Sequence, residues 1–233
     1  MVGQHVRKGG AVLAALAIFS GGAVMGAAGA GAASTGSAGP GGPDPTCGRQ
    51  CDDAFHGYGL RGDIAVYYEG PVEAVVGREV TYKAEFSAYG GDPWTGLPDV
   101  DVATVTHHAP EGFTFTGAQV TSYDWTPGRY PVTVLDSAAV VDPATGDVAV
   151  AAPAGGWAIP VVEDHRSPDK TYYASGIVTV TLRYTATQAV RDGVSGLTFT
   201  GTGAPASEGW VAKGSTQVAE APKGLGGFGS SES

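Results

Sequence analysis

The chain has 233 residues, 42% of them hydrophobic and only 15% charged. Thirteen basic residues against 23 acidic ones give a formal net charge of −10, which excludes the basic footprint of a nucleic-acid binder and the polybasic cluster that holds a protein on anionic lipid. Two Cys cannot build a disulfide scaffold, so any fold rests on a hydrophobic core.

The first residues read as an export signal. His5, Arg7 and Lys8 form a basic lead, and Ala11 to Val24 is apolar apart from Ser20, Gly21 and Gly22. Ala28-Gly29-Ala30 and Ala30-Gly31-Ala32 then fit the small-residue cleavage pattern. No acid precedes Asp44. Residues 1–32 are therefore expected to be a signal peptide, leaving no stable membrane insertion once it is cleaved. Residues 33–60 follow as a flexible leader, opening on a Gly, Ser, Ala and Pro stretch from Ala33 to Pro45. It carries Cys47 and Cys51, expected to close into a small disulfide loop in an oxidising compartment, with a redox pair or metal half-site as the alternative. So short a loop constrains the unfolded chain little, and its contribution falls below the usual value of about 2–4 kcal/mol.

Beyond Arg61 the pattern becomes β. Val80, Tyr82, Ala84, Phe86 and Ala88 alternate with Thr81, Lys83, Glu85, Ser87 and Tyr89. The same period of two returns at Val178, Val180, Leu182, Tyr184 and Ala186. Each puts one face in a core and the other in water. Shorter β-prone segments are Asp63–Glu69, Val72–Val76, Val100–Thr106, Gly112–Val120, Val132–Leu135, Ala138–Val141, Val148–Ala152, Trp157–Val162, Gly196–Thr200 and Gly209–Val218. Between them lie turn residues, as in Asp142-Pro143-Ala144-Thr145-Gly146-Asp147, which should let Val140 pair with Val148 in a hairpin. Many short strands without crossover helices specify an all-β fold, a single antiparallel Ig-like β-sandwich over residues 61–221. Residues 222–233 are expected to be a flexible Gly/Ser tail.

Gly77-Arg78-Glu79-Val80-Thr81-Tyr82, followed by Pro110-Glu111-Gly112-Phe113-Thr114-Phe115, resembles the Ig-like conserved-repeat domains of bacterial exported and surface proteins. Those domains open on a G-x-x-V-T-Y strand and close their first half with a P-x-G-x-x-F turn. The resemblance spans roughly residues 76–187 and implies an extracellular structural or adhesive role. The chain contains no Asn. It therefore lacks that family's usual Asn after the first strand, N-glycosylation acceptors, and a Lys–Asn isopeptide cross-link.

Candidate chemistry is sparse. His107 and His108 are adjacent, so on a strand they point to opposite faces and cannot chelate together; both read as surface histidines, like His56 and His165. Asp99, Asp101, Asp142 and Asp147 lack the ligand density of a calcium loop and read as turn or solvent-facing residues. Arg61-Gly62-Asp63 is the tripeptide integrins read, but it abuts a predicted strand instead of occupying a loop tip. No G-x-S-x-G elbow is present. Neither catalytic nor metal residues are assigned, and no cofactor is expected. Trp157 alternates with Ile159 and Val161 and reads as core. Trp94, Tyr123 and Trp125 lie in turn-rich segments; Trp94 and Trp125 read first as lids over the open end of the sandwich, and the three rings are the candidate contacts with a partner or glycan.

The sequence thus reads as an exported, non-enzymatic module that binds an envelope or extracellular protein or a glycan, located outside the cytoplasm. A carbohydrate-binding module using the loop aromatics is the alternative, and an extracellular enzyme of unrecognised type is a third.

Overall fold

The computed structural model describes residues 54–91, 96–125, 131–205 and 209–221. The expected signal peptide, Cys47, Cys51, Trp94 and the tail 222–233 lie outside the described residues.

In chain order the strands are β1 (Ala54–Arg61), β2 (Ile64–Pro71), β3 (Glu73–Val75), β4 (Glu79–Ala88), β5 (Asp101–Val102), β6 (Thr104–His108), β7 (Phe113–Tyr123) and β8 (Val132–Leu135). They continue as β9 (Ala138–Val141), β10 (Val148–Ala151), β11 (Trp157–Ala158), β12 (Val161–Ser167), β13 (Lys170–Ser175), β14 (Ile177–Ala186), β15 (Val190–Thr200) and β16 (Ala212–Ala219). They build an all-β sandwich. One six-stranded sheet runs β1-β2-β4-β14-β7-β8 and the other β3-β16-β15-β6-β10-β9, with β11-β5 and β12-β13 as separate ribbons. The ladders are antiparallel except for β3, which runs parallel to β16.

The two long alternating segments lie side by side at the centre of the first sheet, with Leu182 opposite Tyr82 and Val178 opposite Phe86. Tyr82, Phe86, Leu182 and Tyr184 are all buried. Parity sends Lys83, Glu85 and Arg183 to the other face. Phe86 crosses the interior to meet Phe199 of the second sheet edge-on, with ring centroids 5.1 Å apart. Trp157 is also core, and its indole N–H donates to the Asp136 carbonyl at 2.9 Å.

Three expectations shift. The sandwich starts at Ala54 instead of Arg61, because the end of the expected leader is β1, paired along its whole length with β2. Its inward positions include Gly57 and Gly59, which contribute no hydrophobic signal. A Cβ on Gly59 would stand 2.4 Å from the Val211 carbonyl oxygen, so glycine lets this edge of the first sheet close onto the second. The 142–147 hairpin forms one residue out of the expected register: Val148 faces Val141, and Val140 faces Ala149. Asp142 and Asp147 pair across its base, while the Asp142 carboxylate caps the Ala144 N–H at 2.8 Å. The segment Trp157–Val162 is interrupted at Pro160, and its second half continues into the β12–β13 ribbon, which the sequence pattern did not reveal.

Candidate functional site

β7 carries Tyr123 to one end of the first sheet, where it pairs with Ile177 and Val132. The Asp124 N–H donates to the Pro131 carbonyl and closes the base of the loop that follows. Tyr123 and Trp125 meet edge-on, with centroids 5.1 Å apart and planes at 84°, and Trp125 remains 43% exposed. The third expected contact, Trp94, lies outside the described residues. Just after β4, Tyr89 is half exposed.

The Arg61-Gly62-Asp63 tripeptide corrects the sequence reading, because Gly62 and Asp63 are the turn of the β1–β2 hairpin and therefore its tip. Gly62 has φ +54°. The turn is held from two sides: the Asp63 N–H donates to the Gly203 carbonyl, and the Asp63 carbonyl accepts from the Tyr89 N–H. Tyr89, Tyr123, Trp125 and this turn therefore occupy the same end of the sandwich. Loops rooted in a rigid scaffold in this way are where such folds place recognition.

His107 also corrects the sequence reading. It is fully buried, and only His108 reaches the outside. Three strands of the first sheet bring Tyr68, Tyr82 and Tyr184 inward, opposite His107, Ser195 and Thr216 of the second. The Tyr68 hydroxyl meets His107 Nε2 at 2.8 Å and Ser195 Oγ at 2.7 Å, and the Tyr184 hydroxyl meets His107 Nδ1 at 2.7 Å. Burial drives the imidazole down to about 3, so it is neutral, with one ring nitrogen donating and one accepting. If Tyr184 donates to Nδ1, then Nε2–H donates to Tyr68 and Tyr68 donates to Ser195, which gives every one of those protons an acceptor. Thr216 donates to the Pro71 carbonyl at 2.7 Å, so its oxygen accepts from Tyr82 at 2.9 Å. Burial raises all three phenols, Tyr82 to about 12 and the other two further. The layer cross-links the sheets through satisfied hydrogen bonds. No buried side-chain polar atom among the described residues lacks a partner.

A second outward cluster was missed in sequence. On the outer face of the second sheet, His108 Nδ1 meets Asp147 Oδ2 at 2.9 Å, and its Nε2 lies 3.5 Å from Thr198 Oγ1. The Trp210 ring lies parallel to His108, 5.1 Å between centroids, in the space above Gly196 that a Cβ would fill. These residues come from β6, the residue just before β10, β15 and the segment before β16. Only sheet register unites them. Beside them a shallow depression of about 400 Å³ is lined by Thr106, Asp147 and Ala149 together with the apolar Val140, Val141 and Pro143. A carboxylate, an imidazole and hydroxyls beside an indole suit a ligand rich in hydroxyl groups. His56 and His165 face solvent as expected: His56 bonds Tyr67, and His165 stacks on Tyr172 at 3.9 Å.

Among the described residues no group of three or more His, Cys, Asp or Glu is placed to hold a metal ion, and no helix is long and apolar enough to cross a membrane. No family model matches the chain. No curated protein matches it either. Among solved structures it is similar to the cohesin module of a Clostridium perfringens family 33 glycoside hydrolase, with 14% identity, 69% of this chain and 98% of that one covered, and a TM-score of 0.39. It is also similar to the C-terminal domain of the Streptococcus pyogenes antigen I/II-family protein AspA, with 14% identity, 66% and 54% covered, and a TM-score of 0.39. A third similarity is to the collagen adhesin of S. aureus, with 8% identity, 68% and 64% covered, and a TM-score of 0.32. The chain thus spans about half of the antigen I/II fragment and under two thirds of the collagen adhesin structure.

Proposed function

We propose that this protein is an exported, non-enzymatic β-sandwich that works in the cell envelope or outside the cell as an interaction module of adhesin type. Its contact surface is the sandwich end that presents Tyr89, Tyr123 and Trp125. The observation that carries this reading is the exposure of Tyr89 and Trp125, 50% and 43%, on loops hydrogen-bonded at their bases to a closed core. Half-exposed aromatic rings supply large contact area at little ordering cost. A net charge of −10 gives no long-range steering toward an acidic partner, so contact there rests on desolvated rings. The test is binding of the purified protein to extracellular and envelope preparations, with Trp125→Ala and Tyr89→Ala as variants. The reading requires binding to fall while the melting temperature holds, and a purely thermal defect in both variants rejects it.

A second reading, carbohydrate binding, is favoured by the shelf of Trp210, His108, Asp147 and Thr198. Its carboxylate, imidazole and hydroxyl are groups able to hydrogen-bond sugar hydroxyls, and the indole supplies an apolar ring. Loss of glycan binding in Trp210→Ala with retention in Trp125→Ala would move the site to that shelf.

A further inference from the structure

β9 is the outermost strand of the second sheet, and its ladder to β10 determines which backbone groups remain unused. The Asp142 N–H donates to the Asp147 carbonyl at the hairpin base. Hydrogen-bonded pairs alternate along an antiparallel ladder, so Val140 bonds Ala149 and Ala138 bonds Ala151. The other side of β10 agrees: the Ala152 N–H donates to the Ala103 carbonyl, which turns the backbone groups of Val150 and Val148 toward β6. Ala139 and Val141 consequently direct their N–H and C=O groups away from the sheet, and no described strand pairs with them.

This edge is apolar. All four residues of β9 are exposed, Val140 by 66%. The strand that precedes it, β8, exposes Val132 and Val134 on the matching edge of the first sheet. Sheet edges are commonly guarded by charge, proline, a bulge or a covering segment, and β9 itself has none of these.

We propose that the β9 edge pairs antiparallel with the β9 edge of a second copy of this chain, about a twofold axis through Val140. Charge and donor chemistry choose the register. With Val140 opposite its own counterpart, Ala139 faces Val141 of the other copy and Val141 faces Ala139, which completes hydrogen bonds at both pairs. Asp142 then faces Ala138, and Asp136 faces Ala144, so no like charges meet. Sliding the copies by one hydrogen-bonding repeat in one direction sets Asp136 against Asp142, a destabilising like-charge pair. Sliding the other way sets Ala139 against Pro143, which has no N–H to donate. The Val140 side chains meet at a non-hydrogen-bonded site, where side chains across a ladder are closest. The two sheets become continuous across both molecules. Because β9 is only four residues long, the association is concentration-dependent.

The experiment is sedimentation equilibrium of the purified protein over a concentration series, with hydrogen exchange read at the amides of Ala139 and Val141. The expected result is a mass that rises from monomer toward dimer, with slower exchange at those two amides as dimer forms. Val141→Pro removes an outward N–H without touching the ladder to β10, and Val140→Lys places two cations at the axis. Both should remain monomeric with unchanged circular dichroism, while Val194→Lys, an exposed valine on β15, should dimerise like wild type. A protein that stays monomeric at every concentration overturns the proposal, even if another protein's strand is found on the edge. A dimer that survives both β9 variants overturns it as well.

Discussion

Tyr68, Tyr82 and Tyr184 show how little residue type alone reveals about role. All three sit on the apolar phase of alternating strands, and each carries its hydroxyl to a polar partner on the facing sheet. Removing one end of such a pair leaves the other buried and unsatisfied, which costs about 1–3 kcal/mol. Tyr184→Phe strands a ring nitrogen of His107 and should cost that much. Tyr82→Phe leaves Thr216 bonded to the Pro71 carbonyl, so its cost should lie nearer about 0.5–1.5 kcal/mol. Urea unfolding of the two variants checks the order. His107 adds a pH dependence. Its unfolded imidazole takes up a proton below about 6.5, whereas the folded one, buried among the three phenols and repelled by His108, resists protonation down to about 3. Between those values the unfolded state holds the extra proton, so stability is full above pH 6.5 and falls on acidification. The slope is about 1.4 kcal/mol per pH unit. His107→Gln keeps one donor and one acceptor but cannot titrate. Its stability deficit relative to wild type, measured at neutral pH, should shrink as the pH falls toward 4.

At the scale of elements, parity explains what could be read and what could not. The segments around Val80 and Val178 alternate cleanly because one face meets the core and the other meets water, and β4 and β14 follow to within a residue. β1 escapes that pattern because its inward face is Phe55, Gly57 and Gly59, where small size is the requirement. Gly59→Ala forces a Cβ against the Val211 backbone and should lower stability by about 1–3 kcal/mol, as overpacking does. The denaturant midpoint should fall with an unchanged slope, because the same surface is still exposed on unfolding. Phe86→Ala belongs to the same scale. It removes the ring that touches Phe199 across the two sheets and should cost about 3–5 kcal/mol. The β12–β13 ribbon was not legible because Glu163, Asp164, His165 and Arg166 are outside the core, so no apolar phase marks them.

For the whole molecule, the predicted separation is between binding and stability. Trp125 lies at the rim, partly wet and edge-on to Tyr123, so its truncation removes contact area without opening a core cavity. Trp125→Ala should weaken partner binding about tenfold or more and leave the melting temperature nearly unchanged, read by titration and thermal scan on the same preparation. The sequence by itself determined the all-β class, the central strands, the burial of Trp157 and the candidacy of Tyr123 and Trp125, because alternation and turn chemistry are local properties. Only tertiary structure decided that His107 is an interior hydrogen-bonding hub, that Gly62 and Asp63 form a hairpin tip, and that Trp210, His108, Asp147 and Thr198 share one shelf. Residues far apart in the chain meet there through strand register and sheet pairing, and no local pattern encodes which strand lies beside which.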